Sequence, residues 1–271
     1  IPLALALFTP VLWTSTVLGD DNPWRNLPLI SDSKVDSSWV QIGWGGFAVD
    51  DGSLRTECDA KGMGLLLYKK ENGEAYDAEA LAAAVTAGVD DAVAKQVAAG
   101  IDIVSDGETS KVGYATYIKD RLSGFAGHYP RPPHLDLAPY PEFREAMARM
   151  MGKQTFKRAA CVGPIELVDR DAMRADLDNL RRAVEAHRPA EAFLNAASPG
   201  VISAFQGNRY YPTHEAYVDA IVAAMKPEYD AIVAAGFLLQ IDCPDLAMAK
   251  HTGFQELSEA EFLKRAEYQV E

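Results

Sequence analysis

Two stretches of the sequence place acidic side chains directly behind apolar runs. "GIDIVSDGE" carries Asp106 and Glu108, and "FLLQIDCPD" carries Asp242. A carboxylate at the end of an apolar strand needs a partner, such as a substrate ammonium, an arginine or a metal ion. The pattern therefore makes Asp242 a candidate for binding a cationic group of a substrate, and Asp106 and Glu108 candidates for contacting a substrate. For Asp106 and Glu108 a second interpretation stays open, in which both belong to an ordinary loop, because Asp-Gly is common in turns.

Other polar and sulfur-bearing residues lie near the predicted strand ends. Asn195, in "AEAFLNAASPG", is either a substrate-facing amide or one that satisfies neighbouring backbone groups. Cys243 is predicted to face away from Asp242 and Cys161 to lie within a strand, so both are interpreted as packed thiols. The three cysteines, which include Cys58, form no CxxC motif and have no histidine at metal-binding spacing. No complete zinc site is predicted, and the sparse cysteines favour a reducing, cytoplasmic location.

Helices and strands alternate along the second part of the chain. A helix is predicted from an Asp77 cap to Gly100, and others in "DRDAMRADLDNLRRAVEAH" and after Thr213, with Pro227 starting a further helical stretch through Ala235. Strands are predicted in "IDIVSD", "KRAACVGPIEL", "AEAFLNAASPG" and "FLLQIDCPDL". This alternation predicts a parallel sheet with right-handed crossovers.

The polar positions within the strands favour a barrel over an open sheet. Asp102 and Asp106 are predicted to share one face of the first strand, and Gln240 and Asp242 one face of the fourth. The alternate positions are predicted to face helices: Ile101, Ile103, Leu239 and Ile241. One polar face and one helix-covered face suit a TIM (β/α)8 barrel, whose active site forms at the carboxyl ends of its strands. A barrel needs eight strands, and the sequence has four clear ones with room for one or two more before residue 70. Either the early region contains further strands or, as we favour, the barrel is incomplete in this chain.

Composition limits the classes of partner. The chain has 271 residues, 48% of them hydrophobic, and 26 basic against 39 acidic residues give a net charge of -13. This charge argues against nucleic acid or anionic membrane surfaces and favours a small-molecule partner. The apolar start, "IPLALALFTPVLWTSTVLG", is open to several interpretations: a buried segment, the remnant of a secretory signal or a membrane segment. Residues 1–62 are predicted to be an atypical segment of uncertain structure, in which about residues 20–59 are predicted to be irregular and turn-rich, and residues 63–271 the partial barrel.

Several stretches together resemble a known family. "VAKQVAAGIDIVSDGETSKVGYATYIKDRLSGF", "CVGPIEL" and "NAASPGVISAFQGNRYYPTHEAYVDAIVAAMKPEYDAIVAAGFLLQIDCPDLAMAKH" are similar to the catalytic domain of cobalamin-independent methionine synthase, and most similar to its shorter single-barrel relatives. The resemblance implies a TIM barrel with a zinc ion that activates a thiol such as homocysteine to accept a methyl group from a folate. By position, Glu108 and Asp242 match acids that hold the amino group of that amino acid. Ser53, in "DGSLR", matches part of the family's Gly-Ser-x-Pro-Arg turn without its proline, so the resemblance makes it a candidate substrate-binding residue.

The family's zinc ligands are not found in the sequence. They include a His-x-Cys motif at a later strand end, and the given sequence stops before any such motif, so we interpret it as part of a longer or disrupted protein. Three alternatives stay open: another thiol alkyltransferase of the same superfamily, a hydrolase that uses Glu108 and Asp242 as a carboxylate pair, and an inactive fragment.

Overall fold

A computed structural model describes residues 29–43, 46–51, 53–57, 64–68, 75–130, 134–151 and 158–271 of the chain. Contacts divide the chain into two compact units, one of Ile1–Ala84 with Tyr140–Thr155 and one of Val85–Pro139 with Phe156–Glu271. The functional division predicted at residues 62 and 63 stays a prediction. The apolar start of the chain lies outside the described residues.

The elements run in chain order as β1 (Ile30–Ser31), β2 (Lys34–Val35), β3 (Trp39–Gly43), β4 (Gly46–Asp50), β5 (Ser53–Glu57), β6 (Gly64–Tyr68), α1 (Ala78–Ala98), β7 (Ile103–Ser105), α2 (Ile118–Arg121), β8 (Phe125–Ala126), α3 (Pro141–Met151), β9 (Ala160–Cys161), α4 (Arg170–His187), β10 (Glu191–Ala197), α5 (Pro199–Phe205), α6 (His214–Ala234), β11 (Leu238–Asp242), α7 (Asp245–Thr252) and α8 (Glu259–Val270). Among the helices of the described ranges, none combines the length and the apolar character needed to cross a bilayer.

The first unit contains short antiparallel strands. β1 pairs with β2, β4 pairs with β5, and β3 pairs with β6. The prediction of irregular structure is therefore wrong at the residues of β1 to β5, whereas β6 lies in the part predicted to belong to the barrel. β3 and β4 are rich in the aromatic and β-branched residues that favour strands, in "WVQI" and "FAV". Asp51 turns the chain between β4 and β5 with a φ of 46°.

The second unit contains a three-stranded parallel sheet in the order β11-β10-β7. Ala192, Leu194 and Ala196 on the central strand pack with Val104 of β7 into one apolar cluster. Residues of α1, α4 and α6 complete this cluster, among them Val89, Val93, Leu180 and Ile232. The fold is therefore mixed α/β with helices packed on a parallel sheet. Within the described ranges the strands do not close into a barrel.

The predicted helix boundaries are confirmed where a capping side chain was recognised. The Asp77 carboxylate accepts a hydrogen bond of 2.9 Å from Ala80 N at the start of α1, and Gly100, just beyond its end, has a φ of 81°. Thr213 caps α6 in the same way, with its hydroxyl accepting from Ala216 N at 3.1 Å. The break predicted at Pro227 is wrong, because Pro227 lies inside a continuous α6. Buried residues on both sides of it, Met225 and Glu228, hold the helix together across the missing N–H.

The strand predicted around Cys161 does not join the parallel sheet. β9 is two residues long and pairs antiparallel with β8. Gly124, just before β8, brings the backbones together, because a Cβ there would lie 2.7 Å from the carbonyl oxygens of Gly163 and Pro164. Three of the four predicted strands therefore form the described parallel sheet.

The predicted orientation of β7 is reversed. Val104 is fully buried against the helices, while Ile101 and Ile103 are 47% and 43% exposed. Since side chains alternate along a strand, Asp102 and Asp106 lie on the same side as Val104, which is the helix side. A shift of one residue exchanges the two faces, and a strand this short has too few apolar residues to fix its register from sequence.

His214, at the start of α6, makes the folded state sensitive to acid. Its ring lies edge-on to Phe254, and its Nε2 is 3.2 Å from Gln269 Nε2 of α8. Burial, followed by the nearby charge of Arg265, lowers its pKa from 6.5 to about 4. Folding therefore favours the neutral ring, so its contribution to stability is present above pH 6.5 and is lost as the pH falls toward 4.

We expect His214→Gln to reduce the loss of unfolding free energy between pH 7 and pH 4.5. Urea denaturation at both pH values measures this loss, with a variant of the exposed His128, His128→Gln, as the control. The same loss in wild type, His214→Gln and the control would show that His214 does not titrate with folding.

Candidate functional site

Asn195 joins the two predicted acids. Its side-chain nitrogen, Nδ2, donates hydrogen bonds to Glu108 Oε1 and, at 3.0 Å, to Asp242 Oδ2. Asn195 lies on the central strand and is only 8% exposed, while Glu108 follows β7 and Asp242 ends β11. Parallel strands end at one edge of a sheet, so three strand ends bring these side chains together. The site thus consists of two half-buried carboxylates held on one amide.

The backbone after β7 is shaped to present Glu108. Gly107 and Glu108 have φ values of 67° and 55°, in the left-handed region that residues other than glycine seldom adopt. Asp106 Oδ1 accepts a hydrogen bond of 3.0 Å from Glu108 N, and Thr109 Oγ1 donates to Asp106 O at 2.8 Å. Backbone strain of this kind at a non-glycine residue is typical of functional sites, where surrounding contacts maintain it.

Asp106 is a buried residue that supports the loop carrying Glu108. It is 1% exposed, and burial raises the pKa of its carboxyl group against the lowering effects of Glu108 N and the Lys111 charge. Because it lies on the helix side of β7, the prediction that it faces the barrel interior is corrected. Its predicted role in substrate binding stays a prediction, and its visible role is to hold Glu108 N.

Asp242 is held at the end of β11 through both carboxylate oxygens. Oδ1 accepts from Gln240 Nε2 at 2.9 Å, and Oδ2 accepts from Asn195 Nδ2. Its backbone oxygen accepts from Ser198 N at 3.1 Å, which links β11 to the start of α5. Gln240 and Asp242 share the face opposite Leu239, as predicted, because Leu239 packs toward the helices.

Lys111 is a member of the site that the sequence analysis missed. Its Nζ donates a hydrogen bond to the backbone oxygen of Asn195 and lies 4.8 Å from the centre of the Tyr117 ring. The lysine follows Glu108 by three residues in the same loop, and this proximity was the one available signal. Its positive charge is thereby linked, through Asn195, to the residue that holds the two carboxylates.

A buried charge network lies behind the site, and we define it as Tyr117, Arg121, Asp176 and Glu228. Arg121 donates hydrogen bonds to Asp176 Oδ2 and, at 3.1 Å, to Glu228 Oε2. The Tyr117 hydroxyl donates to Glu228 Oε1 at 2.9 Å and accepts from Ala197 N at 3.3 Å. Burial works to lower the pKa of Arg121, but Asp176 and Glu228 outweigh it and the pKa is raised. The network fixes Tyr117, which in turn contacts Lys111.

The other residues singled out from the sequence are Ser53 and the three cysteines. Ser53 is the first residue of β5 in the first unit, and its role in substrate binding stays a prediction. Cys161 and Cys243 are free thiols, and burial raises the pKa of each, which disfavours the reactive thiolate. Cys58 lies outside the described residues.

The zinc ion implied by the family resemblance lacks a ligand set in the part of the chain that the structure describes. No group of three or more histidine, cysteine or acidic side chains is arranged there to hold a metal ion. Zinc sites in proteins need three or four such ligands.

The fold and site define an α/β protein in which parallel strands end at a carboxylate pair. No protein-family model and no curated protein matches the chain. Among solved structures, it is similar to a B12-independent methionine synthase from Shewanella sp. W3-18-1 in complex with selenomethionine, with a TM-score of 0.51 and 18% identity over 74% of this chain and 51% of that one.

A second similar structure is described as a putative vitamin-B12 independent methionine synthase from Listeria monocytogenes. It has a TM-score of 0.45 and 19% identity over 64% of this chain and 45% of that one. The chain thus spans about half the length of these two proteins. The structural neighbours are B12-independent methionine synthases, as the resemblance in sequence predicted, and at this identity the likeness concerns the fold.

Proposed function

We propose that the chain binds an amino-acid thiol such as homocysteine and serves the transfer of a methyl group to its sulfur from a methyltetrahydrofolate-type donor. The observation that carries the proposal is the pairing of Glu108 and Asp242 on Asn195. The substrate's ammonium group would bind to these two carboxylates. The reaction is methionine synthesis, and both reactants are small molecules.

The chemistry of the carboxylate pair favours an ammonium ion. Two negative charges held close together in a half-buried site repel each other, and a bound cation removes this cost. A primary ammonium group has three N–H donors and no acceptor, so it can donate to both carboxylates at once. A free amino acid carries such a group at neutral pH.

The solved structures supply a second line of support. The Shewanella protein, which shares the fold, is in complex with selenomethionine, an amino acid that carries selenium in place of the sulfur of methionine. We propose that the parallel sheet of this chain belongs to a TIM (β/α)8 barrel and that its strand ends bind the corresponding sulfur amino acid. We also propose that it acts in the cytoplasm, where thiols stay reduced.

The described residues of this chain offer no binding site for zinc. Bound zinc converts a thiol to a thiolate at neutral pH, which is the chemistry that the resemblance implies. Because the described residues do not fit a zinc site, we assign no step of the reaction to it. The proposal therefore concerns binding and orientation of the amino acid by Glu108, Asn195 and Asp242.

A direct assay tests the proposed function. The protein is incubated with homocysteine and a methyltetrahydropteroyl-glutamate donor, with added zinc or with a chelator, and methionine is measured by mass spectrometry. We expect methionine to form in wild type and to be lost in Glu108→Gln. Calorimetry on the same samples measures homocysteine binding separately from turnover.

The alternatives give different results in the same experiment. Binding of homocysteine without methionine formation would contradict methyl transfer by this chain. Cleavage of a glycoside panel in the presence of chelator, lost in Glu108→Gln, would instead establish a carboxylate-pair hydrolase. Binding of neither reactant would identify an inactive fragment.

A further inference from the structure

Lys111 is a half-buried cation that forms no ion pair among the described residues. Its Nζ donates to the backbone oxygen of Asn195 and lies against the face of Tyr117. An ammonium group has three N–H donors, so contact with one carbonyl and one ring leaves capacity for an anion. The Lys111 charge also acts on the buried Asp106, and an anion bound directly to Nζ would further offset the cost of partial burial.

Positive and negative groups meet on a single residue. The backbone oxygen of Asn195 holds the Lys111 ammonium, and the side-chain nitrogen of Asn195 holds Glu108 and Asp242. The opposite charges of the site are thus linked through one residue. A site that presents both charges is complementary to a zwitterion.

An unsatisfied acceptor provides an independent sign of a ligand. Asn195 Oδ1 is buried and has no hydrogen-bond partner within the described ranges. Reversing the amide would place this oxygen against Glu108 and Asp242, where two carboxylates would repel it, so the orientation is fixed by charge. A buried acceptor of this kind calls for a donor, and the ammonium group of a ligand is one.

The position of Lys111 is prepared in advance. Its aromatic partner, Tyr117, is 4% exposed, donates to Glu228 and accepts from Ala197 N. Arg121 lies 4.7 Å from the centre of the same ring. Because this ring is held from several sides, Lys111 is directed to the site before a ligand arrives, which reduces the entropy lost on binding.

We propose that Lys111 binds the carboxylate of the ligand whose ammonium is held by Glu108 and Asp242, so that the site selects free α-amino acids. The proposal rests on the proposed function for the ammonium half of the ligand. It adds a second charge contact, and it restricts the substrate class to zwitterions. Peptides, amines and amino-acid esters do not carry a free ammonium and a free carboxylate on the same carbon, and are excluded from this class.

Calorimetry with three related ligands tests the proposal: methionine, its methyl ester and 4-(methylthio)butanoate, which lacks the amino group. We expect wild type to bind methionine at least about tenfold more tightly than either analogue, because each analogue loses one charge-assisted contact. Lys111→Met should lose the preference over the ester and keep the preference over the butanoate. Glu108→Gln should show the reverse pattern, and Lys226→Met, at an exposed lysine, is the control.

The wild-type comparison alone can overturn the proposal, whatever the stability of the variants. Equal affinity for methionine and its methyl ester would overturn it, and so would an unchanged preference in a folded Lys111→Met. Lys111→Arg keeps the positive charge and should keep the preference. Methionine formation without discrimination against the ester would leave the proposed function standing and remove this inference. Discrimination against the ester without methionine formation would leave this inference standing and remove the proposed methyl transfer.

Discussion

Glu108→Gln is expected to weaken the binding of homocysteine and methionine by about 30-fold to 1,000-fold, the equivalent of about 2–4 kcal/mol. The glutamine can still accept from Asn195 Nδ2, so the geometry is kept while one negative charge is removed. The ligand's ammonium then faces only Asp242. Calorimetric titration measures the affinity, and thermal unfolding reports whether the fold is retained.

Glu166→Gln is the matched control for this experiment. Glu166 is exposed, and it belongs to the same unit, where its backbone groups pair with Ser123. We expect Glu166→Gln to bind homocysteine and methionine with the affinity of wild type. Affinity of Glu108→Gln within about threefold of wild type would mean that the carboxylate does not contact the ligand. The unfolding temperature of Glu108→Gln should be equal or higher, because a like charge beside Asp242 is removed.

Arg121→Met is expected to lower the free energy of unfolding by about 3–5 kcal/mol. Arg121 is the only cation of the buried charge network as we define it, and Asp176 and Glu228 accept its hydrogen bonds at 7% and 3% exposure. Without it, two carboxylates remain buried with no positive partner. Urea denaturation at pH 7 measures the change.

Arg174→Met provides the control for a surface pair. Arg174 contacts Asp171 on α4, at 2.9 Å, and both side chains are well exposed. Exposed pairs contribute about 0–1 kcal/mol, so the variant should remain close to wild type. Equal losses of unfolding free energy in Arg121→Met and Arg174→Met would show that burial does not increase the contribution of the network to stability. The loss of unfolding free energy in Arg121→Lys should lie between those of Arg121→Met and Arg174→Met, because a lysine keeps the positive charge but lacks the planar guanidinium group.

The proximity of the site residues could be predicted from the sequence, because it follows from a general property of parallel sheets. Glu108, Asn195 and Asp242 each come at or near the end of an apolar run, and the structure brings their side chains together. The caps of α1 and α6 were predictable for a local reason, since Asp77 and Thr213 bond to backbone groups three residues away.

The orientation of β7 was not predictable in the same way. Three residues carry too little periodicity, and the faces are decided by the packing of Val104 against Val89 and Val93. Lys111 was missed because its role depends on the carbonyl of Asn195, 84 residues later in the chain. Such a contact leaves no mark in the local sequence.

The buried charge network shows the same limit. Arg121 is separated from Asp176 by 55 residues and from Glu228 by 107. Charged residues on helices usually face solvent, so the local sequence does not mark these three as buried partners. The antiparallel strands of the first unit were missed for a different reason, since turn residues interrupt strands of five residues or fewer.

In the proposed complex, Glu108 and Asp242 bind the ammonium group of an amino acid. A crystal structure of the protein with methionine shows this contact directly. We expect the amino nitrogen to lie at hydrogen-bond distance, about 2.7–3.2 Å, from a carboxylate oxygen of Glu108 and from one of Asp242. Methionine bound elsewhere, or bound here with its amino nitrogen turned away from both carboxylates, would mean that the two carboxylates do not bind the ammonium group.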